Sequence, residues 1–225
     1  MIERTIITIE RLTACGGLYV GRSLAQWLEL PCYDREILTG AAQLINQDAG
    51  VLSGRAERRA TIWEKLLGAF AGGTPETEYT PPNFPFLEDE ALFEAEAAAI
   101  RQAAARGSGI FIGHGAARAL QGEPGLLRVF CHAPREFRVR RLSELYGYNE
   151  RDASAAVDAN DRRQGGYLKA VAGINWREAT AYDLCINTAL TGIDEAVDII
   201  LGVLKVRAQH DTPGAPGGEG HHEQK

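Results

Sequence analysis

The chain contains no C-x-x-C pair. Its four cysteines, Cys15, Cys32, Cys131 and Cys185, are scattered, each in or beside an apolar segment. That argues against structural zinc and reads as reduced thiols in a cytoplasmic protein. No apolar run approaches ~18 residues, so no transmembrane helix is expected. Met1-Ile2-Glu3-Arg4 passes straight into a strand pattern, without the layout of a signal peptide. Positive charge is short as well: 24 Lys and Arg against 30 Asp and Glu leave a net charge of −6. Neither a nucleic acid nor an anionic membrane is therefore expected as the main partner, although an acidic protein can still hold a basic cleft. No internal repeat occurs, and G-x-G-x-x-G is missing. Asp34 falls near the right distance for a ribose contact, but without those glycines there is no dinucleotide fingerprint.

What is present centres on Thr5 to Ala25. A β-branched run, Thr5-Ile6-Ile7-Thr8-Ile9, leads to a small-residue turn, Thr13-Ala14-Cys15-Gly16-Gly17. Val20, Leu24 and Leu28 then recur at helical spacing. A strand, a glycine turn and a helix together aim backbone N–H groups at a phosphate. A Walker A loop reads G-x-x-x-x-G-K-S/T. With Gly16 as its last glycine, the lysine position holds Gly17, the next holds Leu18 and the first glycine position holds Arg11. The backbone cradle of Arg11, Thr13, Ala14, Cys15, Gly16, Gly17 and Leu18 is expected to bind phosphate, with Arg11 as a candidate substitute cation.

At 225 residues with 45% hydrophobic content, the chain fits a globular α/β protein. Further strands are expected at Leu30–Tyr33, Gly109–Ile112, Leu126–Cys131 and Tyr182–Asn187. Helices are expected to about Glu29, over Ile37–Gln47, after Ser53, over Glu88–Arg106, from Pro134 to Leu145, after Asn149 and over Ile193–Val206. Ala71–Phe86, rich in Gly, Pro and Thr, reads as a long functional loop. Strands alternating with helices imply an α/β fold: a three-layer, doubly wound parallel sheet of about five strands. The expected division is one domain over residues 1–208, with helical insertion and lid segments, and a disordered tail over 209–225. Ligands in such sheets bind beyond the carboxyl ends of the strands. Arg11–Gly17, Asp34-Arg35, Gly113-His114-Gly115, and His132 followed by Arg135 all fall there.

Several segments in order resemble the cytidylate-kinase-like family of P-loop proteins, relatives of the nucleoside monophosphate kinases. The opening I-T-I-S-R-x-x-G-S-G-G is matched by Ile7–Gly17, and Y-Y-D-R-E-I by Cys32–Ile37. The V-I-x-G-R-G-A motif is matched by Phe111–Ala116, and V-F-x-x-A-P-x-x-x-R by Val129–Arg138. D-x-x-R-x-x-Y is approximated by Asp161, Arg162/Arg163 and Tyr167. Y-D-L-x-I-N-T is complete at Tyr182–Thr188. The matches span about Ile6 to Ile200. The resemblance implies a P-loop kinase fold and phosphoryl transfer from ATP, with Mg²⁺, to a nucleoside monophosphate or similar small acceptor. It gives Arg138, Arg141 and Arg162 the role of neutralising the transferring phosphoryl group. Asp34, Arg35, Gly113, His114 and Gly115 would hold the acceptor, and Asp34 also counts among the catalytic residues, positioning the acceptor or Mg²⁺. No residue is assigned to the metal. The family lacks the Walker lysine too. This chain departs further, with Ala14-Cys15 for Gly-Ser, Glu10 for a serine and His114 for an arginine, and the last two changes are expected to weaken anion affinity.

The residues also carry plainer readings. Asp34 can be a helix N-cap, Cys15 a small packed residue, Trp27 and Trp63 core. Trp176 stands in a charged segment where it could touch a base. An alternative function stays open: a catalytically weak or inactive nucleotide-sensing or partner-binding protein that keeps the fold. Homo-oligomerisation also stays open.

Overall fold

The computed structural model describes residues 4–34, 89–113, 115–172, 175 and 177–210. Arg35, His114, Trp63, Trp176, the expected helices between Ile37 and Phe70, and the Ala71–Phe86 segment lie outside them. The strands are β1 (Ile6–Arg11), β2 (Cys32–Tyr33), β3 (Gly109–Ile112), β4 (Leu126–His132) and β5 (Leu184–Asn187). The described helices are α1 (Gly17–Leu28), α2 (Asp89–Ala105), α3 (Ala116–Ala119), α4 (Arg135–Tyr146), α5 (Glu150–Ala172), α6 (Thr188–Thr191) and α7 (Asp194–His210).

All strand pairs are parallel, in the order β2-β3-β1-β4-β5. The sheet is the doubly wound one the alternation of strands and helices implied. β1 is central, with β3 and β2 to one side and β4 and β5 to the other. Connections therefore diverge at its carboxyl end, where such sheets bind ligands.

Alternation along β1 sorts the core into two layers. Ile7 and Ile9 face α1 and α7, packing with Val20, Leu24, Val197 and Ile200. Ile6 faces the other way, with Phe111 and Tyr33, under Ala99, Ile100 and Ala103 of α2 and Ala116 of α3. The alanines of α2 let that helix lie close on the sheet.

The differences from expectation are local. β1 runs on through Glu10 and Arg11, because its pairing with β4 continues to Cys131. Arg11 is therefore the last strand residue rather than a loop residue. α3, α6 and a 3-10 turn at Ala179–Ala181 are single turns, too short to leave a periodic pattern. α7 reaches His210, past the 208 boundary. Trp27 is 74% exposed, not core. Gly17, Gly21, Ala25 and Leu28 mark the inward stripe of α1, which turns Trp27 outward.

Candidate active site

The loop begins as an extension of the sheet. The Leu12 N–H donates to the Cys131 carbonyl at 3.0 Å, and the Cys15 N–H turns back to the Leu12 carbonyl at 3.3 Å. Closing that turn puts Ala14 at φ 59° and Gly16 at φ 90°. Glycine adopts this backbone freely, whereas alanine does so at a cost of roughly 1–2 kcal/mol. The Ala14 methyl group is buried against Val139, Leu142, Ala153 and Val157, which offsets part of that. Gly16 caps α1, and the Val20 N–H is the first of the helix to find a backbone carbonyl, that of Gly16 at 3.1 Å. The N–H groups of Gly17, Leu18 and Tyr19 ahead of it have no carbonyl one turn back, the arrangement that receives phosphate.

Two ties hold the loop from behind. Thr188, the first residue of α6, donates its hydroxyl to the Cys15 carbonyl at 2.5 Å, shared with the His132 carbonyl at 3.1 Å. Arg138 donates to the Thr13 carbonyl at 3.2 Å and the Ala133 carbonyl at 3.2 Å. It also meets Asp161 of α5 in a two-pronged pair at 3.0 and 2.9 Å. With 4% of its surface exposed and its guanidinium so engaged, Arg138 is a clamp behind the loop. The expected contact with a transferring phosphoryl group is not the role this geometry gives it. Cys15 is buried, its Sγ donating to the Cys131 carbonyl at 3.3 Å, as a small packed residue would.

Arg141, three residues on, takes the forward position. Its Cζ lies 3.8 Å from where a Cβ on Gly16 would stand and 5.2 Å from the centroid of the Tyr19 ring. Arg11 supplies a second cation. Its stem fills the space beside Gly17, where a Cβ would meet Arg11 Cβ at 2.8 Å and Cys131 Cβ at 3.0 Å. Its Nη1 reaches 2.9 Å from the Cβ position of Gly113, at the end of β3. A glycine loop closed onto a helix start has Arg141 above it and Arg11 beside it. The model of the cytidylate kinase-like family matches the chain over residues 6–190.

The chain belongs to the cytidylate kinase-like family. A curated relative, the cytidylate kinase of Halobacterium salinarum (strain ATCC 29341 / DSM 671 / R1), is 28% identical over 98 residues, which is 43% of this chain and 51% of the relative. The chain thus spans about half the length of that curated relative. Among solved structures, an uncharacterized protein from Eubacterium ventriosum ATCC 27560 superposes with a TM-score of 0.68 at 22% identity, covering 91% of this chain and all of that one. A gluconokinase from Sinorhizobium meliloti 1021 does so at 0.51 and 14%, covering 93% and 98%. Likeness at that distance is likeness of fold.

Within this family frame the remaining expected residues divide. Arg162 and Arg163 are exposed on α5. Asp34 is buried at the end of β2 and receives Arg22 of α1 at 3.0 Å. Gly113 and Gly115 form the turn from β3 into α3, with φ 76° and 66°. Arg35 and His114 lie outside the described residues. Reading the residues one by one missed Thr188, Asp161 as a buried anion, and Arg177, which shares Asp161 with Arg138 at 3.0 Å. All three are ordinary polar residues whose partners lie 16 to 173 positions away. Thr188 and Asp161 did fall inside quoted motifs, which was the available signal.

Glu10 turns away from the loop onto the opposite sheet face, 2% exposed. Burial pushes its carboxyl up from 4.5 to about 7, opposed by the Arg11 charge and by the amides of Gly115 and Ala116. Those amides act through space without bonding to it. Both Glu10 oxygens lack a hydrogen-bond partner, and the Ala116 N–H is given to the Gly113 carbonyl at 3.2 Å.

The loop amides and the two forward arginines fit the polyphosphate of a nucleotide. Among the described residues no group of three or more His, Cys, Asp or Glu side chains is placed to hold a metal. No helix among the described residues is long and apolar enough to cross a membrane.

Proposed function

We propose that this chain is a phosphotransferase that moves a phosphoryl group from ATP to a nucleoside monophosphate or similar small acceptor. The observation that carries the reading is the Arg141 guanidinium standing over Gly16 at the mouth of the loop. The amides of Gly17, Leu18 and Tyr19 hold the donor phosphates from the helix side. Arg141 faces them from α4 and Arg11 from β1, so positive charge surrounds the place where charge spreads in the transition state. Mg²⁺, when bound, would supply charge neutralisation for the donor phosphates. As the acceptor oxygen bonds to the terminal phosphorus, the bond from that phosphorus to the donor's bridging oxygen breaks, and ADP leaves with that electron pair. The chain's task is alignment and charge stabilisation more than strong base chemistry. The acceptor side is assigned to Asp34, Gly113 and Gly115, with Arg35 and His114.

The test is a coupled assay for ADP release from ATP with Mg²⁺ across nucleoside monophosphates and small hydroxylated acceptors, paired with thermal-shift titrations. A true acceptor raises ADP release above the hydrolysis background, and donor and acceptor each stabilise the protein separately. Stabilisation by nucleotide with no turnover on any acceptor would overturn the transferase reading. No stabilisation by any nucleotide would overturn the assignment of the loop.

A further inference from the structure

Glu10 and Thr8 point to one face of β1, two residues apart, both buried. The two oxygens of Glu10 and the hydroxyl of Thr8 all lack a hydrogen-bond partner. A buried carboxylate without partners is costly in its charged form, and the least costly remedy is a proton. The groups around Glu10 offer little else. On its own strand stands Arg11, whose charge opposes protonation. From α3 come the amides of Gly115 and Ala116, which make no hydrogen bond to it. The β5 side brings Tyr182, with Cys185 beyond it. On β4 the same face carries Phe130, stacked on Tyr182 and His132, and Arg128, which is committed to Asp183. α2 brings Glu96, buried in the same layer and itself partnered. Arg11 is therefore the one described cation adjoining Glu10, and its stem also packs against Gly17 of the loop.

We propose that Glu10 is a proton site coupled to the phosphate loop: binding of a nucleotide polyphosphate takes up a proton on Glu10. This rests on the nucleotide-binding reading of the loop given above. A polyanion at Gly16–Leu18 draws on the field of Arg11, the residue next to Glu10, and its own charge disfavours the Glu10 carboxylate through space. Both effects favour neutral Glu10. A serine at this position would bind phosphate without a proton, so the glutamate makes affinity depend on pH near neutrality.

The experiment is isothermal titration of ATP or GTP, each with Mg²⁺, into the full chain at pH 7 in buffers of different ionisation enthalpy. Wild type is compared with Glu10→Gln. Proton exchange by the nucleotide itself cancels in the difference. Wild type should take up roughly 0.3–0.5 more protons per nucleotide than the variant, since a group half-ionised at this pH has at most half a proton to gain. Wild-type affinity should fall as pH rises above 7, by at most about tenfold per unit, while Glu10→Gln stays level. Should Glu10→Gln not fold, Glu10→Ser serves in its place. Wild-type affinity that is flat from pH 6 to 9 overturns the proposal without any variant. Equal proton counts in the two proteins overturn it as well, and leave nucleotide binding intact. Absence of binding in both overturns it together with the phosphotransferase reading.

Discussion

Arg138 and Asp161 meet fork to fork, Nη1 to Oδ1 at 3.0 Å and Nη2 to Oδ2 at 2.9 Å, with both side chains almost wholly buried. The pair joins α4 to α5, and Arg138 carries the connection on to the Thr13 carbonyl in the phosphate loop. Asp161 also receives Arg177 from beyond α5. One buried anion thus organises two guanidinium groups behind the site.

Removing one member of such a pair strands the other. Asp161→Ala is expected to cost about 3–5 kcal/mol, the range for a buried ion pair broken from one side. Urea unfolding reads it directly. A loss below about 1 kcal/mol would mean that water reaches Arg138 and that the clamp is not needed for folding.

Arg141 should behave oppositely. Its contact with Tyr19 is worth about 0.5–1 kcal/mol, and Arg141→Ala should cost less stability than Asp161→Ala in the same urea unfolding. Its affinity for ATP should drop by about 1.5–3 kcal/mol, the worth of a charge-assisted hydrogen bond. Nucleotide titration compared with Arg162→Ala ranks the two. A larger effect at the exposed Arg162 would move the phosphate contact onto α5.

Restoring the Walker lysine should fail. In Gly17→Lys the new Cβ would stand 2.8 Å from Arg11 Cβ and 3.0 Å from Cys131 Cβ, atoms fixed close to the backbone. The expected result is a loss of about 1–3 kcal/mol in stability, as for overpacking, with weaker rather than tighter ATP binding. Tighter binding in a stable Gly17→Lys protein would show that Arg11 yields the space.

Glu10 sets a pH dependence of stability with a definite sign. Its folded-state value, about 7, lies above its ordinary 4.5, so between those values the folded chain holds a proton that the unfolded chain has released. Stability from this group is complete below pH ~4.5, falls as pH rises to about 7, and is level above, a loss of about 3 kcal/mol in all. Denaturation midpoints of wild type and Glu10→Gln between pH 5 and 8 check it. The gap between the two curves should change by most of that amount, and parallel curves would mean that the carboxyl is hydrated.

Thr188→Val keeps the side-chain volume and removes the hydroxyl that serves the Cys15 and His132 carbonyls. About 1–3 kcal/mol of stability should go with it, the cost of leaving a buried polar group unpaired. Wild-type stability in that variant would show that both carbonyls find other donors.

The sequence by itself determined the sheet and the strand–turn–helix unit at its centre. Short apolar runs such as Ile6–Ile9 and Gly109–Ile112, separated by helical periodicity, permit little besides a parallel sheet covered on both faces. Thr13–Gly17 between strand and helix could be read as a loop because backbone geometry there follows from the local residues. Which arginine stands over the loop was not local. Arg138 and Arg141 share one helix and one charge, and only the approach of Asp161, 23 residues after Arg138, turned the first into a clamp and left Arg141 over Gly16. Likewise Glu10, as a letter in the sequence, is a negative charge beside the loop. The pleat of β1 sends its side chain to the opposite face, where burial decides its proton. Local propensity depends on neighbours along the chain, whereas the charge and partners of a buried group depend on what folding brings against it.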